Sequence, residues 1–282
     1  MIDEATRQPP DRWRRWWLGI FALVLVLTSG FLAGRRLRPP DTDPVSAPSS
    51  IAATRAPLIE STPMPTPSTP PASPTPDLSR LLRYPGPVPT HGSGTFRYAV
   101  STGPVLGTKG PVRRFRVGVE NGSSEDVAAF AAQVQATLGD PRSWTGGGAL
   151  RLQLVAAGQP YDFTVYLATR ETVRKMCEAG GVDVVIHGRP YTSCRTTGKA
   201  IINLDRWRLS ATPYLAARVP LATYRQYLVN HEVGHELGHH HVGCPRAGGP
   251  APVMVQQTLM LRGCVPNSWP RAGNRFLTGP PV

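Results

Sequence analysis

A chain of 282 residues has room for two domains, but its 31 prolines and 28 glycines are unevenly spread and leave one folded domain plus unstructured sequence. The net charge of +13 suits acidic substrates, anionic surfaces or simply a basic soluble exterior, and with no nucleic-acid motif present no nucleic-acid partner is expected. Four cysteines without a CxxC pair argue against a zinc ribbon and for disulfides in an exported domain.

Residues 1–15 are polar, and Arg12, Arg14 and Arg15 directly precede an apolar run from Trp16 to Gly34. That run is long enough to cross a bilayer, with Trp13, Trp16 and Trp17 suited to the headgroup layer. The reading is a cytoplasmic tail (1–15) and an uncleaved transmembrane signal-anchor (16–34) in the cell membrane, with everything after it extracytoplasmic. Arg35, Arg36 and Arg38 balance the arginines before the run, so charge does not fix this orientation. The alternative is a signal peptide cut near Thr28 and Gly30, which gives a secreted protein. Residues 35–88, with STPMPTPSTPPASPTP at their centre, lack the apolar surface to offset ordering entropy and read as a disordered, proline-stiffened stalk.

The folded domain is expected at 89–275, with a short tail at 276–282. Alternation in Phe96–Ser101 and Val112–Glu120 predicts two strands. SSEDVAAFAAQVQATLGD then reads as a helix with Ser124 as its cap and apolar residues at helical spacing through Leu138. Leu150–Ala156 and Phe163–Ala168 read as strands, Glu171–Glu178 as a short helix, and Val182–His187 and Ala200–Asp205 as one or two further strands. The fold class is therefore α+β, a mixed sheet crossed by two principal helices. Pairing by neighbourhood joins Cys177 to Cys194 and Cys244 to Cys264, each bridge worth about 3 kcal/mol in the chain-entropy model, while the sequence alone leaves the other pairings open. Asp162, Asp183 and Asp205 read as turn or capping residues, His91 as solvated, and His187 as a structural residue ending a strand.

A helix is predicted over 221–238, because Leu221, Tyr224, Leu228, His231 and His235 recur at helical spacing and turn the two histidines inward. One turn apart, two imidazoles can meet one Zn2+ ion, while Glu232, offset by one residue, can take a proton from a water instead of binding metal. A third histidine continuing the helix would drift by about 80° around the axis. Gly238 offers the left-handed conformation that ends a helix, so His241 can return as third ligand, with His239 and His240 as alternatives.

HEVGHELGHHH at His231–His241 matches HExxHxxGxxH and so resembles the metzincin zinc metallopeptidases. The surrounding text, YRQYLVNHEVGHELGHHHVGCP and PAPVMVQQT, is similar to an uncharacterised actinobacterial family of anchored or secreted metzincin-like domains, the domain of unknown function 3152, over about residues 90–270. The resemblance implies a twisted mixed sheet above the active-site helix and a loop-rich subdomain beyond it. There a methionine turn lies beneath the histidines, with Met254 as its residue and Met260 the second candidate. It also implies substrate bound as an added strand on a sheet edge, for which Ala200–Asp205 is the candidate. One departure is that no tyrosine follows Tyr227, whereas some metzincins place one near the metal. The expected function is a monomeric, membrane-anchored zinc endopeptidase acting on peptide or protein substrates, with Glu232 as general base. The alternative is a non-catalytic envelope module using the same zinc structurally.

Overall fold

The computed structural model describes residues 80–282. The expected cytoplasmic tail, the transmembrane segment at 16–34 and the stalk up to residue 79 lie outside the described residues. Among the described residues no helix is long and apolar enough to cross a membrane.

In chain order the strands are β1 (Phe96–Tyr98), β2 (Val105–Leu106), β3 (Val112–Glu120), β4 (Arg151–Leu154), β5 (Phe163–Ala168), β6 (Val185–Ile186), β7 (Arg189–Pro190), β8 (Cys194–Thr196), β9 (Lys199–Asn203), β10 (Arg271–Ala272) and β11 (Arg275–Phe276). The helices are α1 (Val127–Gly139), α2 (Arg170–Glu178), α3 (Leu204–Leu209), α4 (Thr212–Ala216) and α5 (Leu221–Glu236). The fold is α+β, around a mixed sheet ordered β2-β4-β3-β5-β9-β8, with β1 pairing β3 off this path. β4, β3, β5 and β9 run parallel, while β2, β1 and β8 are antiparallel to their neighbours.

Period-2 alternation divides the side chains between two layers. Phe115, Val117 and Val119 of β3, Phe163, Val165 and Leu167 of β5, and Ala200 and Ile202 of β9 join the principal core with α1 and α5. Tyr166, Ala168 and Ile201 face the opposite side and pack with Val173 and Cys177 of α2. All six residues of β5 are buried, as a central strand covered on both faces requires.

Several local expectations are corrected. α1 is capped by Asp126, whose carboxylate accepts from the Ala129 N–H at 2.7 Å; Ser124 instead adopts φ 57° before it. The strand expected at 182–187 shrinks to β6 and leaves the main sheet to pair with β7, and His187 and Gly188 form the turn between them with φ 50° and 73°. Those two positive φ values are what a two-residue hairpin turn demands. Ala200–Asp205 splits, because Asn203 accepts from the Asp205 N–H and starts α3. Asp205 is no turn residue: its carboxylate is buried and bound by Arg170 at 3.0 Å and Arg189 at 2.7 Å.

Ordered contacts also reach beyond the expected limits of 89 and 275. Tyr84 N–H donates to the Arg208 carbonyl at 2.7 Å, and the Arg208 guanidinium holds the Pro87 carbonyl at 3.1 Å. At the other end, Gly243 N–H donates to the Pro280 carbonyl at 2.7 Å, so residues near 280 lie against the segment after the histidines.

Both expected disulfides form, Cys177–Cys194 and Cys244–Cys264. The first ties α2 to β8 across a separation of 17 residues. Replacing Cys177 and Cys194 together by alanine should lower stability by about 3 kcal/mol. A urea titration checks this, and an unshifted midpoint would show that the bridge constrains nothing.

Candidate metal centre

α5 carries His231, Glu232 and His235 and ends where its sequence lets it. Gly238 adopts φ 93°; its N–H donates to the His235 carbonyl at 3.1 Å, and the His239 N–H reaches back to the Gly234 carbonyl at 3.0 Å. This pair of bonds is the Schellman arrangement that a left-handed glycine permits. The helix therefore stops at Glu236, two residues short of the expected 238, and the chain turns back with His241.

The turn brings three ring nitrogens together. His235 Nε2 and His241 Nε2 are 3.0 Å apart, His241 Nε2 and His231 Nε2 are 3.3 Å apart, and the three ligand atoms all lie within 4.8 Å of one another. The edge of a tetrahedron with metal–nitrogen bonds of 2.0–2.1 Å is about 3.3–3.4 Å, close to these two separations, so the three histidines could hold one metal ion. Of the alternatives, His239 stacks on Trp144 with centroids 4.4 Å apart, and His240 is exposed.

Each helix histidine is oriented through its other nitrogen. His231 Nδ1 donates to the Val253 carbonyl at 2.7 Å and His235 Nδ1 to the His239 carbonyl at 2.8 Å. With the proton held on Nδ1, the Nε2 lone pair is left for a cation. Burial keeps His231 neutral well below its ordinary pKa, and burial followed by the charge of His241 pushes His235 down to about 4. Protons therefore compete weakly for these ligands near neutrality. Glu232 lines the same cleft, of about 330 Å3, and burial raises its carboxyl pKa to about 8.

Beneath the site, Met254 is buried while Met260 is exposed. A Cβ on Gly234 would stand 2.6 Å from the Met254 sulfur and 2.6 Å from the Trp144 ring, so only glycine lets both approach the helix between the two histidines. The loop carrying Met254 lacks helix or strand and is hung on tyrosines that the sequence reading treated merely as core or overlooked. Tyr227 OH donates to the Val255 carbonyl at 3.1 Å and accepts from Gln257 N–H at 2.9 Å; Tyr224 OH meets Thr258 Oγ1 at 2.9 Å, and Tyr214 OH donates to Gln257 Oε1 at 2.9 Å. Cys244–Cys264 then closes the loop by a covalent bond. Arg195 was also missed. It lines the cleft from β8 and pairs with Glu236 at 2.7 Å. Its only sequence signal was a position one residue after a half-cystine.

A family model described as a protein of unknown function, DUF3152, matches residues 83–266, more than half of the chain. The chain belongs to this family. The DUF3152 span contains the three histidines, Glu232, Met254 and all four half-cystines. No curated protein and no solved structure matches the chain.

Two outcomes follow from this geometry. A carboxyl with a folded pKa of about 8 against an ordinary 4.5 destabilises the metal-free fold progressively as pH rises from 4.5 to 8, because the unfolded chain ionises first. Glu232→Gln should therefore raise the thermal midpoint of the metal-free chain at pH 8 and leave it unchanged below pH 4; an equal gain at both would remove the burial argument. Reducing the disulfides should lower metal content, since the loop supporting His241 and Met254 is freed, and atomic emission on the reduced chain would read an undiminished content as a contradiction.

Proposed function

We propose that this protein is a membrane-anchored, extracytoplasmic zinc-dependent endopeptidase of metzincin type. The observation that carries the proposal is the convergence of three neutral imidazoles, two from one helix and one from beyond a glycine turn, with the buried carboxyl of Glu232 lining the same cleft. His231, His235 and His241 would hold the ion, and Zn2+ bound there supplies a Lewis acid that acidifies water and polarises a peptide carbonyl.

The chain's own groups do the rest. Glu232 would receive the proton of the attacking water and pass it to the leaving amine, its carboxyl lining the same cleft as the three histidines. Burial strengthens that exchange by keeping bulk water from competing. Met254 and the Val253 carbonyl fix the histidine floor. The anchor rests on the apolar run at 16–34, and the domain's disulfides suit the oxidising side of a membrane.

A substrate strand would dock on β8, not on the Ala200–Asp205 segment expected from sequence, because β9 is internal, pairing β5 on one side and β8 on the other. β8 ends the sheet order, and the run Thr192–Arg195 lines the cleft. Thr164 N–H donates to the Gly198 carbonyl, a ladder position at which Ala200 gives its backbone groups to β5. Arg195, opposite Ala200, therefore turns its own N–H and C=O toward the free edge.

A purely structural use of the metal is favoured by one observation: the cleft's own tyrosine, Tyr227, has its hydroxyl committed to Val255 and Gln257. The full-length zinc-loaded chain should cleave members of a broad peptide library. Chelation should abolish cleavage, and Glu232→Gln should slow it by at least about a hundredfold with metal retained. A chain that cleaves nothing but unfolds when its metal is removed would establish the structural reading instead.

A further inference from the structure

Arg195 has no part in the proton transfers above, yet its side chain lines the same cleft as the histidines and Glu232. Its placement follows from strand alternation. Cys194 faces α2 through its bridge to Cys177, so the next residue faces the zinc-ligand helix. There Arg195 Nε donates to Glu236 Oε1 at 2.7 Å.

Glu236 is a firm mount. Its side chain is 3% exposed, Oε1 also accepts the Lys199 N–H at 3.0 Å, and its backbone carbonyl accepts from Arg113 Nη1 at 2.9 Å. Arg195 is thus pinned by one nitrogen, while its side chain remains 36% exposed. Among the described residues its two terminal amino groups have no protein acceptor, which leaves the fork that matches a carboxylate in a bidentate fashion. An arginine already held on one side loses little further freedom when it binds on the other.

Among the described residues neither of the cleft's other two carboxyl groups meets that fork. Glu232 is buried on α5, and the Asp183 carboxylate caps the Val185 N–H at 2.8 Å. The geometry points to Arg195 as the receptor of a substrate carboxylate, so that the cleft selects peptides bearing an acidic side chain, or a free C-terminus, at the position that passes β8. The cleavage part of this inference rests on the peptidase reading; the recognition part does not. A chain with net charge +13 would also draw acidic peptides toward the cleft.

The test uses the full-length, zinc-loaded chain and four matched peptides: Glu or Gln at one internal position, each with a free or an amidated C-terminus. kcat/KM should favour the carboxylate-bearing peptides by about tenfold or more, mainly through KM. The pair that shows the preference identifies the side chain or the terminus as the source. Arg195→Gln should collapse the preference to below about twofold, while Arg195→Lys keeps part of it. Equal turnover of all four by the unmodified chain, or an equal slowing of all four in Arg195→Gln, would overturn the inference and leave Arg195 a structural partner of Glu236. Should Arg195→Gln not fold because Glu236 is left unpaired, the double change with Glu236→Gln replaces it under the same criteria. Should nothing be cleaved, the peptidase reading fails separately. Anisotropy of the same labelled peptides on the Glu232→Gln chain then decides recognition: tighter binding of carboxylates that requires Arg195 supports it, and equal binding overturns it.

Discussion

Three imidazole nitrogens that all lie within 4.8 Å of one another, with two of the separations at 3.0 and 3.3 Å, cannot all carry protons. The helix histidines give their Nδ1 protons to the carbonyls of Val253 and His239, so their Nε2 lone pairs face one another. Lone pairs gathered in this way repel, and burial withholds the solvent that would relieve them. A cation removes the conflict. The rest of the domain can be understood as the means of imposing that convergence: a helix to space two rings, a glycine to return the third, and a loop to fix them from below.

The scaffolding changes character across the site. Before α5, regular pairing does the holding, with four parallel strands packed between α1 and α5 on one face and α2 on the other. Beyond it, side chains replace the ladder. Gln257 is fully buried, and its amide donates to the Asn267 and Pro252 carbonyls at 2.7 and 3.2 Å. Asn230 on α5 donates to the Ser268 carbonyl at 2.9 Å and accepts from Ser143 at 2.7 Å. Each such bond nets only about 1 kcal/mol, but breaking one strands a buried partner at a further penalty of about 1–3 kcal/mol. An irregular segment can be rigid on these terms, and a metal ligand carried by such a segment requires it.

The features legible in the sequence were those with a period or a fixed spacing. β3 and β5 fall at their expected limits, and the two histidines of α5 occupy the same helix face as Leu228. Gly238 signalled the turn because no other residue adopts φ 93° as readily. Short elements were not legible: α3 and α4 span too few turns to show periodicity, and β8 is three residues whose pairing depends on β9. Ser124 and Asp126 both look like caps, and only the backbone chooses between them. The sheet edge was misplaced because an apolar strand carries no mark of having neighbours on both sides. Arg195 and the tyrosine hydroxyls went unseen since their partners lie far away in sequence.

X-ray absorption at the zinc edge of the full-length chain bears most directly on the convergence of His231, His235 and His241. One ion per chain, surrounded by three imidazole nitrogens and one oxygen at about 2.0–2.1 Å, is the result this account predicts. Sulfur ligation, fewer than three imidazoles, or a chain that takes up no ion would contradict it.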